Sequence, residues 1–299
     1  MQRSPDTSIA PSRKQTDVVW NIGVWSCALI VVGMFLLIAG DVLWRGISGV
    51  NWEFLTSLPE HSGREGGIRP VIVSTLFILA VCLSAAVPLG VMTAMFLSEM
   101  TARKGRLGRT IRISLDILAG VPSIVFGLFG NAFFCIVLGM GFSILSGGLT
   151  LACMALPLII RASEEGFRAI PDSQRLTAAA LGMSRTSTLF RILLPAAWPG
   201  VLMGVVLGIG RALAETAALI FTSGYVLRMP RSLFDSGRSL SVHIYDLAMN
   251  VPGGEANAYS SALVLMVLIV AVNVVAGLIA RFWLARNLIS TTSRERRLS

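Results

Sequence analysis

The sequence predicts an all-α polytopic membrane protein with six transmembrane helices. Three observations carry this. Only 14% of the 299 residues are charged, against about 25% in a soluble domain. The uncharged apolar runs are long enough to cross a bilayer. The basic residues gather at the ends of those runs and not on one polar surface. Hydrophobic residues make up 54% of the chain, and the mean hydropathy is +0.75. The net charge of +9 therefore marks membrane orientation, and no nucleic-acid partner is expected.

A helix needs about 20 apolar residues to cross the hydrocarbon. Residues 1–17 are polar, rich in Ser, Thr and Pro, and read as a disordered tail. Residues 18–40 carry no charge and make span one. That run is too long for the apolar region of a signal peptide. Residues 71–98 are uncharged and make span two. Residues 117–160 are uncharged over 44 positions, enough for spans three and four. Gly139, Gly141, Gly147 and Gly148 mark the turn between them. Span five covers 199–221 with two charges, and span six covers 256–280 with none. The six-span domain is read as 18–287, with external loops at 41–69 and 224–255 and a tail at 288–299.

Orientation follows from the basic residues. One set of connections holds 18 Lys and Arg, and the alternate set holds 6. The excess lies on the cytoplasmic side, so both termini are expected inside. Cys27, Cys82, Cys135 and Cys153 all fall in apolar runs without metal-site spacing, and they read as small buried hydrophobes. His61 and His243 stand apart in expected external loops, so no metal site is expected. The chain lacks the G-x-x-x-x-G-K-[ST] phosphate loop, and no nucleophile–base set is visible. The chain itself is therefore not expected to be an enzyme.

Residues 164–195 form a polar island between two apolar runs. Leu176, Ala179, Ala180 and Met183 recur at helical spacing. Asp172 after Pro171 reads as an N-cap, Gly182 as a stop and Ser184 as the next cap. Leu189, Phe190 and Leu193 make the second helix apolar on one side. By pattern alone this fits two readings, a helix lying on the membrane surface and a helix gripped by a soluble partner.

Two further features concern charge and backbone inside the spans. Arg211 and Glu215 are four apart and are expected to share one helix face. Intramembrane charges are costly and normally face a cavity or partner. An arginine can hold an anion through several N–H groups, with Glu215 neutralising it when the site is empty and Thr216 adding a hydroxyl. A pair that only stabilises the bundle is the alternative. In span three, Pro122 removes a backbone hydrogen bond. Gly120, Pro122 and Ser123 thus read as a hinge or pore-lining break, or else as tight small-residue packing. Asp116 lies close to the cytosolic end and one turn from Arg112, and is expected either to snorkel or to pair with it.

Gly182 and Ile192-Leu193-Leu194-Pro195 match in type and spacing the coupling loop of ABC-transporter permeases. The usual Glu-Ala-Ala start is replaced by Leu176, Thr177 and Ala178. Gly66-Gly67-Ile68-Arg69-Pro70, Leu118 to Phe129, Gly210 to Ala217 and His243 to Pro252 resemble motifs of phosphate permeases. From about residue 66 to 287 the chain is similar to the PstA-type permease subunits of bacterial phosphate ABC importers.

The resemblance implies the type I ABC importer permease fold in the bacterial inner membrane. It implies a PstC-type co-permease, a cytosolic ATPase dimer holding ATP and Mg2+, a periplasmic phosphate-binding protein and inorganic phosphate as partners. No cofactor is expected on this chain itself. ATPase contact is expected at Asp172, Arg175, Leu176, Thr177, Ala178 and Gly182, the substrate path at Arg211, Glu215 and Thr216, and gating at Gly120, Pro122 and Ser123. A permease for another oxyanion, and a membrane scaffold that signals phosphate status, are the rival functions.

Overall fold

Inside a bilayer each backbone N–H and C=O needs a partner from the chain itself, and a helix supplies these locally. The computed structural model is accordingly helical almost throughout. It describes residues 11–101 and 105–295. Residues 1–10, 102–104 and 296–299, with Arg3, Arg103, Lys104, Arg296 and Arg297 of the basic connections, lie outside the described residues.

The order is α1 (Pro11–Gly46), α2 (Trp52–Thr56), a two-stranded hairpin β1 (Pro59–Glu60) and β2 (Glu65–Gly66), then α3 (Arg69–Met95). A π-helical turn, Phe96–Met100, extends α3. There follow α4 (Arg106–Ala119), α5 (Ser123–Gly130) with a π-helical extension Asn131–Val137, and α6 (Ile144–Arg168). After α7 (Asp172–Ala180), α8 (Arg185–Thr188) runs through a π turn, Leu189–Leu193, into α9 (Leu194–Leu213). Short helices α10 (Ala217–Ile220) and α11 (Leu240–Met249) precede α12 (Glu255–Glu295). Helix α1 begins inside the segment 1–17 read as a tail, and α12 continues into the segment 288–299.

Five of these helical stretches are long and apolar enough to cross a membrane, and six if the bent pair α4–α5 counts as one crossing. The third crossing is therefore no straight helix. Helix α4 starts eleven residues before the uncharged run begins, is strongly amphipathic, and meets the α5 segment at 98°.

Helix α6 is the centre of the bundle, packed against α3 on one side and α9 on another. Cys82 and Ala86 of α3, Leu151, Ala155 and Ile159 of α6, and Leu219 of α10 form the main apolar core. A second cluster lies toward the end of the bundle that carries the basic connections, the basic end. It joins Ala94 and Met95 to Phe167, Ile170, Leu193 and Ala197. Small residues let α6 and α9 approach, as lipid-embedded helices require. A Cβ added at Gly200 would stand 2.5 Å from the Cα of Gly166. Helices α1 and α12 pack on each other, and α1 exposes Trp20, Trp25, Phe35 and Leu37 along its length.

At the opposite end, the two expected external loops fold over the bundle. Leu240 N–H at the start of α11 donates to Thr75 Oγ1 of α3 at 2.9 Å. Arg238 Nη1 stands 2.8 Å from Asp246 Oδ2 in a largely buried ion pair. His243 of α11 is fully buried, and neither ring nitrogen has a hydrogen-bond partner among the described residues. Gly63 is pressed onto it, because a Cβ there would lie 2.7 Å from His243 Cε1. The histidine read from sequence as a loop residue is thus core.

Two predictions follow from this packing. Gly200→Ala forces a methyl into the α6 backbone and should cost about 1–3 kcal/mol, the usual range for overpacking. Gly210→Ala, where the added carbon meets nothing within 4 Å, should leave the thermal midpoint in detergent unchanged or higher. The second concerns acid. Burial, then the charge of Arg238, pushes the His243 imidazole down to about 4. The folded state then binds fewer protons than the unfolded state between about pH 6.5 and pH 4, so stability falls as pH drops through that window. His243→Gln should flatten the pH dependence of the thermal midpoint there, and an unchanged slope would refute the assignment.

Candidate functional site

The first site lies where span five breaks. Helix α9 ends at Leu213, and Ala214, Glu215 and Thr216 are not helical before α10 begins at Ala217. Arg211 and Glu215 therefore do not share a continuous helix face, as their spacing suggests. The break itself brings them together, with Arg211 Nη2 3.8 Å from Glu215 Oε2. Glu215 is held on its other side by the backbone. Its Oε1 accepts from Ala218 N–H at 3.3 Å, which places a carboxylate at the start of α10, where it suits the orphan N–H groups. Its main-chain carbonyl accepts from Ser241 Oγ of α11 at 2.6 Å. The Glu215 side chain is 8% exposed and the Arg211 side chain 49%. One member of the pair is fixed and buried, and the other is open. Thr216 is the last residue before α10 and is partly buried.

A second break lies beside the first. Helix α4 ends at Ala119, Gly120 and Val121 turn, and Pro122 in extended conformation starts α5 at Ser123. The freed groups are re-satisfied locally, by Val121 N–H to Leu118 O and Val125 N–H to Pro122 O. Helix α5 then packs on α10. A Cβ at Gly127 would be 2.9 Å from Ala218 Cα, and Asn131 Nδ2 donates to Phe221 O at 2.8 Å. Two interrupted segments thus support each other against protein, the one setting in which broken backbone is tolerated at membrane depth.

The third site is α7, at the basic end. It ends in a Schellman motif: Met183 N–H donates to Ala178 O at 3.1 Å and Gly182 N–H to Ala179 O at 3.0 Å. Gly182 has φ +68°, the left-handed value the motif requires. Ser184 caps α8 by accepting from Ser187 N–H. Asp172 is not the N-cap: Pro171, extended, takes that position, and Asp172 sits in the first turn, accepting from Arg175 Nη1 at 3.2 Å. Leu176 (71% exposed), Ala179, Ala180 and Leu181 (73%) face outward. Asp172, Thr177 and Gly182 are also exposed, whereas Ala178 is buried and Arg175 points inward.

Arg175 makes the densest polar contact here. Its Nε and Nη2 meet both Glu99 oxygens at 3.1 and 2.7 Å, Nη2 also meets Phe167 O at 3.0 Å, and Nη1 meets Ile170 O at 2.8 Å. The hydrogen bonds to Glu99 hold the guanidinium above its ordinary pKa. Nearby, Glu164 Oε1 accepts from Arg112 Nε of α4 at 2.9 Å and from Arg168 Nη2 at 2.7 Å. Asp116 pairs with Arg161 of α6 and not with Arg112. The reason is reach: the amphipathic α4 lies against α6, whose Glu164 is buried and takes the Arg112 fork.

Glu99, Arg112 and Glu164 carry this end of the protein; sequence reasoning gave Arg112 a different partner and assigned no contact to Glu99 or Glu164. Glu99 read only as the residue that ends an apolar run, and its partner is 76 positions away. No local spacing signals such a pair.

Residues 86–289 match the family of binding-protein-dependent transport system inner membrane components. The chain belongs to that family. It is a permease subunit of an ABC importer, and its sequence is of the PstA type. It is 35% identical over 241 residues to the phosphate transport system permease protein PstA 1 of Mycobacterium tuberculosis, covering 79% of this chain and 78% of that one. It is 30% identical to PstA 2 of Mycobacterium bovis, covering 94% and 93%. It is also 29% identical to the probable ABC transporter permease protein YqgI of Bacillus subtilis, covering 89% and 95%. In fold it is similar to a permease chain of the bacterial alginate ABC transporter (TM-score 0.63, 13% identity, 90% of this chain, 95% of that one). A chain of the inward-facing MetNI methionine transporter is also similar (TM-score 0.58, 17% identity, 72% and 96%).

This permease should depend on the Glu164 node for stability. Glu164→Gln leaves two arginines without their shared anion. Breaking a fully buried pair costs about 3–5 kcal/mol, and the half-exposed Arg168 reduces the expectation to about 2 kcal/mol. Asp41→Asn, at the exposed Asp41–Arg45 pair, should not shift the thermal midpoint of the purified protein.

Proposed function

We propose that this chain is the transmembrane subunit of an ATP-driven importer of inorganic phosphate and forms half of its translocation pathway. The observation that carries the reading is the Arg211–Glu215 pair at the break in span five, open at the arginine and anchored at the carboxylate. A tetrahedral oxyanion offers several acceptors to a guanidinium. It would compete with Glu215 for Arg211, and Glu215 would reclaim the arginine once the anion leaves. The PstA relatives, described as phosphate transport permeases, supply the choice of phosphate among oxyanions.

The excess of Lys and Arg supports a cytosolic position for the basic end, with both termini on that side. There the outward Leu176, Ala179, Ala180 and Leu181 offer an apolar helix face to a groove in an ATPase. Leu176 stands where the family loop has a carboxylate, so this contact rests on burial rather than on charge. ATP and Mg2+ belong to that ATPase dimer. A PstC-type co-permease covers the exposed flank of the bundle, and a periplasmic phosphate-binding protein docks on the opposite end. ATP-driven closure moves α7, and the breaks at Gly120–Pro122 and Ala214–Thr216 give the spans places to bend during alternating access.

The test is uptake of labelled phosphate into vesicles holding this chain, its co-permease, the ATPase and the binding protein. The native complex should accumulate phosphate only with ATP. Arg211→Gln should abolish accumulation while the complex still assembles. Normal uptake in that variant would sink the path reading. ATP hydrolysis without phosphate uptake by the native complex would point to another oxyanion or to a signalling role.

A further inference from the structure

Helix α7 has a transmission problem that its outward face does not solve. It has nine residues, too few to be stable alone. Links of a few residues join it to α6 and α8, so the chain by itself does not fix its angle to the spans. A push on its exposed leucines would tilt it or melt it unless something on its inner side resists. Ala178 is small, which leaves Arg175 as the large inward side chain of α7.

We propose that Glu99 and Arg175 form a clasp that carries the displacement of α7 into α3, which makes both of them positioning residues for coupling. The inference rests on the permease reading above. The geometry suits the role. The guanidinium meets both carboxylate oxygens, and a two-point contact resists rotation where a single bond would act as a swivel. The same fork is tied to Phe167 O and Ile170 O at the end of α6. The side chains are 25% and 15% exposed, so the pair is shielded from the screening that makes surface pairs weak.

On the α3 side, Glu99 lies in the π turn Phe96–Met100. The adjoining carbonyl of Leu97 accepts from Arg112 Nη2 at 3.1 Å, and Arg112 is itself bound to Glu164 of α6. A force entering at Arg175 therefore reaches α3, α4 and α6 together. Helix α3 packs along α6 and α9, the elements that lead to the break beside Arg211.

The experiment measures phosphate taken up per ATP hydrolysed in the four-component vesicles. The native ratio comes first, because a native complex that moves no phosphate refutes the phosphate reading and not the clasp. With native uptake established, Glu99→Gln keeps the size of the side chain and removes its charge. Assembly and ATP hydrolysis should stay within about twofold, and phosphate per ATP should fall about tenfold or more, the scale of a typical coupling between sites. Arg175→Lys, charged but unable to span both oxygens, should lower the ratio to an intermediate value. If Glu99→Gln fails to assemble, the double variant Glu99→Gln with Arg175→Gln leaves no unpaired buried charge, and it should assemble and show the same uncoupling. A native ratio in Glu99→Gln or in the double variant would overturn the clasp. Failure of all three variants to assemble would assign the pair to folding alone and overturn it equally.

Discussion

The absence of water for the backbone inside a bilayer governs this structure. An N–H or C=O left open there costs several kcal/mol, so each interruption of a span must be covered by protein. Two spans are interrupted, and the covering is mutual. The segment after Pro122 packs on the segment after Thr216, with Asn131 closing Phe221 O and Glu215 closing Ala218 N–H. Neither break would be stable in a helix facing lipid. Arg211 stands at the helix end where the second interruption begins, two residues before α9 stops at Leu213.

Much of this was legible in the sequence. Long charge-free runs, with Lys and Arg concentrated in alternate connections, gave the apolar crossings. Gly120 and Pro122 gave the break in the third crossing through their known effects on a helix. The break after Leu213 left no such mark. Ala212-Leu213-Ala214-Glu215 is a run of good helix formers, and tertiary contacts override it: Ser241 takes the Glu215 carbonyl, and α10 packs on α5. The α7–α8 segment was readable where caps decide it, at Gly182 and Ser184. The inward direction of Arg175 and Ala178 was not readable, because the outer side of the helix alone was visible as a pattern.

The ion pairs of this protein are of two kinds. Pairs such as Asp41–Arg45 are local and exposed and contribute little. Glu99 and Glu164 are largely buried and each binds arginine from a distant segment. Burying them is costly unless the pairing is good. The structure meets that condition with two-point forks and main-chain carbonyls at Phe167, Ile170 and Leu97. The apolar face of α7 can therefore remain uncovered in the isolated subunit, because ion pairs on its other side hold it in place.

The Arg211–Glu215 pair follows a different logic. Its members are unequally held: the carboxylate is fixed between Ala218 N–H and the protein interior, and the arginine is half exposed at a separation too long for a hydrogen bond. A tight fork like that of Arg175 would have to be broken before an anion could bind, and the loss would subtract from affinity. A loose pair presents the arginine nearly free while its charge is still balanced. On the proposed reading, an arriving anion gains the guanidinium without displacing Glu215 from α10, and the same carboxylate remains in place to favour release. On the proposed readings, loose pairing at the break in span five and tight pairing at the basic end serve opposite needs, turnover in the one case and rigid transmission in the other.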